Sequence, residues 1–421
     1  MAVSIDQSTG CLLIDGTKVF PIGLSNPPPV GGKTPSGTDG WAEVASVGVN
    51  FIRTPAVQWD LQQIDAQVAQ QKTFLDAAAA KHLHCWLQLD PIANLPTTSG
   101  SVNEQLLTNV ANGLKNHPAL GAYKGVDEPA NPNRPSTIPA AGLVRAYQKL
   151  KALDPDHPVV ITQAPLGTVA SLTPYRPAFD ITGADIYPVS YPPGVHSDLP
   201  NKDISVVGDI TRKMVTAAGG KPVWMTLQIA WSGVIQNQSH PENVPRFPTL
   251  HEERFMAYQA IVAGARGLVF YGGQFTTVMR PRDALLGWNW FFWQTVLHPL
   301  LIELNSTAVR PALLAANAPT QVTTSASDVD VLTRRDGQLL YVFAVRRSAT
   351  ATNKVAFAGL PHTNSGASLT RGEVLFEYVQ RPLSPPIDAT KQAFRLVKVA
   401  NDGFSDWFGP HDARVYRFDL S

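Results

Sequence analysis

Short apolar runs alternate, along about 300 residues, with segments whose apolar positions recur every three or four residues. Eight of the runs read as strands: Val19–Leu24, Asn50–Thr54, His84–Leu89, Leu120–Val126, Pro158–Gln163, Ile181–Tyr187, Pro222–Gln228 and Gly267–Tyr271. Most are too apolar to leave one face in water, as expected of parallel strands covered on both sides. Leu106, Leu107, Val110 and Leu114 fall on one face of a helix over Asn103–Asn116, and Leu143, Tyr147 and Leu150 do so over Ala140–Leu153. Thr249 and Glu252 are spaced as a capping box ahead of a further helix, whose face through Phe255, Gln259 and Val262 is only partly apolar. Repeated strand–helix units predict an α/β fold, a (β/α)8 TIM barrel. A doubly wound sheet is the runner-up, but no Gly-x-Gly-x-x-Gly follows the first strand. Ahead of the barrel, Cys11–Pro21 reads as a hairpin turning on Asp15-Gly16.

From about Val309 the pattern changes to strand-like runs: Val329–Thr333, Leu339–Val345 after a turn at Asp336-Gly337, then Val374–Tyr378, Phe394–Val399 and Arg414–Phe418. Helical spacing is absent there. The expected organisation is a barrel with its N-terminal hairpin over 1–308 and a C-terminal all-β sandwich domain over 309–421, sealing one side of the barrel.

Composition narrows the partners. The 34 basic and 33 acidic residues nearly cancel, which argues against nucleic acid or an anionic membrane surface as the main partner. Nine tryptophans and ten tyrosines offer flat faces that suit sugar rings, although core filling explains most such residues. Cys11 and Cys85 are compatible with one disulfide or with two buried thiols. No apolar run is long enough to span a bilayer. The first residues lack the basic start and apolar core of a secretory signal, so the chain is read as cytoplasmic, or as secreted or periplasmic with a signal removed. Oligomeric state is open.

The most informative feature is Asp127-Glu128-Pro129, where an apolar strand ends in two adjacent carboxylates and a proline forbids its continuation. In a β/α barrel the carboxyl ends of the strands face the reaction site. The residues at those ends are Arg53, Asp90, Asp127, Glu128, Asp185, Tyr187, Gln228, Trp231 and Tyr271. Acids, an arginine, an amide and aromatic rings around one pocket suit a neutral, polyhydroxylated ligand. Trp288, Trp290 and Trp293 lie beyond the eighth strand, where one is expected to face the ligand and the rest to pack the core. The long loop from Trp231 to Pro248 adds Gln236, Asn237, Gln238, His240, Glu242 and Arg246 near the same face.

The run from His117 to Pro129 resembles the fourth-strand motif of barrel glycoside hydrolases of the large retaining clan. Gly183–Pro188 and Lys221–Gln228 resemble strands six and seven of those enzymes, and Ala263–Tyr271 their approach to strand eight. The likeness covers roughly residues 15–300, and the C-terminal region resembles their appended sandwich. It implies a glycosidase, or a transglycosidase, acting on an oligo- or polysaccharide without a cofactor. Glu128 is then the general acid/base, and a neighbouring Asp127 carboxylate raises one pKa of the pair unless the two side chains point apart.

Two departures matter. Asp127 stands where the clan has asparagine, and Gln228 stands where its nucleophilic glutamate is expected. An amide is a poor nucleophile and no carboxylate base. Four readings stay open. The second carboxylate comes from elsewhere, Asp185 before Asp90, in an inverting arrangement of widely spaced acids. Gln228 is an engineered replacement of a glutamate. The Asp127-Glu128 pair serves substrate-assisted cleavage of a 2-acetamido sugar. Or the barrel binds carbohydrate and is catalytically inactive. The first two rank above the others.

No metal site is expected: His82 and His84 precede the third strand and belong at the bottom of the barrel. No serine-nucleophile elbow or phosphate-binding loop occurs.

Overall fold

The computed structural model describes residues 2–133, 137–378 and 394–421. Its N-terminal sheet holds β1 (Val3–Ile5), β2 (Leu12–Ile14) and β3 (Thr17–Val19), all antiparallel. Asp15 and Gly16 form the β2–β3 turn with φ of 46° and 81°, the doubly positive geometry that makes an Asp-Gly pair a hairpin signal.

Eight parallel strands follow: β4 (Ile22–Leu24), β5 (Phe51–Arg53), β6 (His84–Gln88), β7 (Leu120–Lys124), β8 (Val159–Gln163), β9 (Ile181–Ala184), β10 (Trp224–Gln228) and β11 (Gly267–Tyr271). They coincide with the eight strands expected from the apolar runs. In order around the sheet they read β10-β11-β4-β5-β6-β7-β8-β9. Parallel bridges Thr182↔Val223 and Asp185↔Thr226 join the two ends, closing a (β/α)8 barrel. Gly183 sits at that seam, where a Cβ would lie 1.6 Å from the Trp224 carbonyl oxygen. Only glycine lets the backbones approach so closely.

Helices α1 (Gly40–Ser46), α2 (Ile64–Ala79), α3 (Val102–Leu114), α4 (Ala140–Leu153), α5 (Val169–Leu172), α6 (Val206–Ala218) and α7 (Leu250–Val262) lie between successive strands. Thr249 and Glu252 form the expected capping box at the start of α7. Two apolar layers result. Leu106, Leu107, Val110 and Leu114 belong to the outer one, between strands and helices. Phe51, Trp86, Ala122, Val160, Ile181, Trp224 and Val269 fill the barrel interior together with Val3, Leu12 and Ile14, so the N-terminal sheet plugs the end opposite the strand carboxyl termini.

After a short helix at Arg310–Leu314, which breaks the expectation of purely β structure beyond Val309, the chain forms two antiparallel sheets. The first contains β12 (Ala316–Asn317), β14 (Val329–Asp336), β15 (Leu339–Arg346), β17 (Arg371–Tyr378), β18 (Phe394–Lys398) and β20 (Ala413–Asp419); the second contains β13 (Thr323–Thr324), β16 (Thr352–Ala358) and β19 (Gly403–Phe408). Leu340, Val342 and Ala344 of β15 face the second sheet, where Phe404 of β19 meets Tyr416 of β20 with ring centroids 4.7 Å apart. Alternate residues Tyr341, Phe343 and Val345 join the core of the barrel's outer layer. The larger sheet is therefore covered on both faces. Arg254 of α7 fastens this junction, with Nε and Nη2 on the Glu303 carboxylate and Nη1 on the Ala413 carbonyl.

One residue of α7 opposes folding. Glu253 is fully buried, and among the described residues neither carboxylate oxygen has a partner. Burial raises its pKa well above 4.5, so the folded protein keeps it protonated while the unfolded chain ionises it. Raising the pH above about 4.5 thus favours unfolding through this group. Glu253→Met is expected to gain about 1–3 kcal/mol of stability at pH 7, the usual cost of an unsatisfied buried polar group, and less at pH 4. Thermal melts at both pH values check this; an equal gain at the two would refute the titration argument.

Candidate active site

The carboxyl ends of the barrel strands open into one cavity of about 400 Å³. Trp86, Val160, Trp224 and Val269 of the interior layer line it from below. Polar side chains come from strand ends and the turns after them: Ser25, Arg53, Lys124, Asp127, Glu128, Thr162, Asp185 and Thr226. Rings come from Tyr187, His196, Trp231, Tyr271 and Phe275.

The turn after β7 aims the first acids. Glu128 has φ of 44°, a left-handed conformation that is strained for a residue carrying a Cβ. Its N–H donates to the Thr162 carbonyl at 2.8 Å, and its Oε2 accepts from Asn131 Nδ2 at 2.8 Å. Asp127 Oδ1 accepts from Lys124 Nζ at 2.6 Å; Lys124 itself is only 3% exposed. Adjacent carboxylates in one turn thus have different partners.

Asp185 reaches the same space from the seam that closes the barrel. A carboxylate oxygen of Glu128, one of Asp185 and a ring nitrogen of His196 all lie within 4.8 Å of one another. Burial, then the charges of Glu128 and Asp127, raise the Asp185 pKa well above the carboxylate range. Two carboxyls this close in a poorly solvated place disfavour each other's ionisation, which favours the protonated form of Asp185. Arg53 and Lys124 bring basic side chains to the same cavity.

The opposite wall is aromatic. Tyr187 stacks between His196 (4.4 Å, 12°) and Tyr271 (5.4 Å, 15°), and Trp231 tilts onto Tyr187 and His196. Burial lowers the His196 pKa to about 4, so the ring is neutral. Its Nδ1 accepts the Tyr187 backbone N–H at 3.1 Å, which places the ring proton on Nε2. Glu128, Asp185 and His196 have the spacing of a metal site, but metal-bound histidines donate from their second nitrogen rather than accept. This tautomer suits a hydrogen-bond donor and does not fit a resident cation.

Seven residues named from sequence line the cavity: Arg53, Asp127, Glu128, Asp185, Tyr187, Trp231 and Tyr271. Asp90, Gln228 and Trp288 do not. Gln228 is fully buried, its Oε1 accepting from the Val189 N–H at 3.0 Å and its Nε2 donating to the Val189 carbonyl. Trp288 is 1% exposed, donates to the Asn26 carbonyl and packs on Trp290 and Trp293, so all three tryptophans are core. From the loop after β10 only Trp231 and Ser232 reach the cavity; His240 and Glu242 pair with each other in solvent. Lys124 escaped notice although a lone charge in the apolar run Leu120–Val126 marks it. His196 lies in the long connection between β9 and α6, with no local signal.

Three parallel comparisons bear on this barrel. No protein-family model matches the chain, and no curated protein sequence matches it. Solved structures with the same fold include a glycoside hydrolase at 13% identity (TM-score 0.60), covering 100% of this chain and 97% of that one. A glycoside hydrolase family 5 protein from Bacteroides vulgatus is 12% identical (TM-score 0.59; 100% and 93% covered). A GH30 endoxylanase from Clostridium papyrosolvens is 10% identical over the full length of both chains (TM-score 0.51). At such identities the likeness is one of fold: a TIM barrel with an additional β region, the architecture that the sequence resemblance implied.

The bonding of Gln228 bears on whether a glutamate belongs there. An ionised carboxylate accepts the Val189 N–H but faces the Val189 carbonyl with a second acceptor. Gln228→Glu is therefore expected to cost about 1–3 kcal/mol, as for a buried acceptor left without a donor, and to bring no gain in glycoside turnover. Chemical denaturation and a nitrophenyl glycoside assay check both; increased turnover would restore the idea that a glutamate was replaced.

Proposed function

We propose that this protein is a glycoside hydrolase in which Glu128 is the general acid/base and Asp185 the second carboxylate. The observation that carries the reading is a close pair of carboxyls, the Asp185 pKa raised, in a cavity walled by stacked rings. Acidic and basic groups of both signs beside aromatic faces favour an uncharged sugar, whose C–H faces pack on rings while its hydroxyls meet Arg53 and Asp127.

The spacing favours a retaining route. Inverting enzymes keep their carboxyl groups about 6.5–9.5 Å apart to admit a water, whereas retaining ones place them about 5–5.5 Å apart. Moving a proton from Asp185 to Glu128 generates acid and nucleophile together. Glu128 then protonates the glycosidic oxygen as Asp185 attacks the anomeric carbon, forming a glycosyl ester and releasing the leaving alcohol. Water, deprotonated by Glu128, opens that ester and frees the sugar, returning both carboxyls to their starting state.

A leaving-group series separates the two roles. Glu128→Ala should lower kcat/KM for alkyl or unactivated aryl glycosides by about 10²–10⁴-fold, the usual contribution of a general acid, and much less for dinitrophenyl glycosides. Asp185→Asn should abolish turnover of both. Proton NMR of the first product should show the anomer of the substrate; the opposite anomer refutes the retaining route. Binding of oligosaccharide without turnover by the unaltered protein across a glycoside panel would refute the hydrolase reading.

The pH profile supplies an independent check. Catalysis needs the proton that Asp185 carries, and the Asp185 pKa is raised, so kcat/KM should fall on the alkaline side only well above the usual carboxylate range. An alkaline limb near pH 4–5, the range of ordinary carboxyls (about 3.9–4.3), would contradict the raised pKa.

A further inference from the structure

The plugged end of the barrel, opposite the cavity described above, carries a second cleft of about 530 Å³. Its walls come from three parts of the chain: the turn around Asp6–Gly10, the lead-ins to β10 and β11 with Lys221 and Arg266, and Asn317 and Arg334 of the larger C-terminal sheet. Arg334 is 1% exposed, yet among the described residues its Nε has no partner and its Nη1 donates only to the Ala312 and Leu313 carbonyls, at 3.0 and 3.1 Å. Arg266 donates to the Ala315 carbonyl and to Asn317 Oδ1, both at 3.2 Å. Among the described residues, every hydrogen bond of these two guanidinium groups thus ends on a neutral acceptor.

The carboxylates near the cleft make their hydrogen bonds with other groups, while the charge of Asp6 acts on Arg266 and that of Asp180 on Lys221. Asp6 is held by Lys18 Nζ at 2.6 Å and by Thr9, and Asp180 accepts from the Tyr147 hydroxyl and the Val159 N–H. Lys221, a third cation on the wall, donates to the Arg176 and Phe179 carbonyls. Burial, reinforced by the charge of Arg266, lowers the Arg334 pKa to about 9, the mark of a cation without a counter-charge. Buried charge in this condition is costly, and removing the cost takes an anion.

We propose that this cleft is an anion site, in which a small oxyanion bridges Arg266 and Arg334. Planar guanidinium forks match the paired oxygens of phosphate or carboxylate, and this geometry distinguishes such ligands from halide. An anion held there joins the N-terminal sheet, the barrel and the C-terminal sheet, so its binding favours the assembled fold by mass action. The proposal is independent of the glycosidase reading, since none of its residues lines the catalytic cavity.

The test is thermal unfolding of the full chain titrated with inorganic phosphate, and separately with acetate, at ionic strength fixed by sodium chloride. Saturable stabilisation by either oxyanion is expected, with phosphate and acetate telling the two ligand sources apart. Arg266→Met, at the partly exposed side of the cleft, should weaken the apparent affinity at least tenfold while glycoside turnover stays unchanged. Arg334→Lys keeps the buried charge but loses the fork, and should weaken it likewise. Absence of a saturable effect in the unaltered protein, or equal effects in it and in Arg266→Met, overturns the site.

Discussion

Closure of the eight-stranded ring at the β9–β10 seam is the constraint on which the rest depends. The seam rests on few backbone contacts, and the bridge Asp185↔Thr226 is one of them. The same residue therefore closes the barrel through its backbone and enters the cavity through its side chain. Gly183, two positions earlier, gives the Trp224 carbonyl the room that closure needs. A wider seam would carry Asp185 away from the turn after β7, and the carboxyl pair would lose the repulsion that helps raise the Asp185 pKa.

The cavity converts that geometry into chemistry by sorting neighbouring acids. Asp127 and Glu128 are adjacent in sequence, yet Asp127 meets the buried Lys124 while Glu128 turns toward Asp185. The left-handed backbone at Glu128 accomplishes this turn, and its strain is sustained by the Thr162 and Asn131 hydrogen bonds. Facing the acids, His196 is locked neutral by burial and by the Tyr187 N–H, so the aromatic wall adds a polar donor without adding charge.

The C-terminal sheets do more than flank the barrel. Alternation along β15 sends Leu340, Val342 and Ala344 to one hydrophobic core and Tyr341, Phe343 and Val345 to another, so one strand is shared by two packing layers. Charges are distributed unevenly across that junction. Arg254 and Glu303 satisfy each other, whereas among the described residues the Arg334 guanidinium donates only to neutral carbonyls. Unmatched buried charge costs stability, and natural proteins tolerate it where a fold has stability to spare or a ligand completes it.

The sequence by itself determined the architecture, because apolar period and turn chemistry are local properties. Eight doubly covered strands, the Asp15-Gly16 hairpin and the Thr249–Glu252 cap were all legible, and so were the strand-end residues from Arg53 to Tyr271 that line the cavity. Four strands of the C-terminal sheets, β12, β13, β16 and β19, were missed, and for β19 the reason is physical. In β19 the inward positions are Phe404, Asp406 and Phe408, and the charge that breaks the pattern is buried only because Arg395 and Arg414 neutralise it. Tertiary structure alone decided the rest. It turned Gln228 onto the Val189 backbone, sank Trp288 into the core, brought His196 in from a loop and set Glu128 against Asp185. Such outcomes depend on contacts between residues far apart along the chain, and no local spacing encodes them.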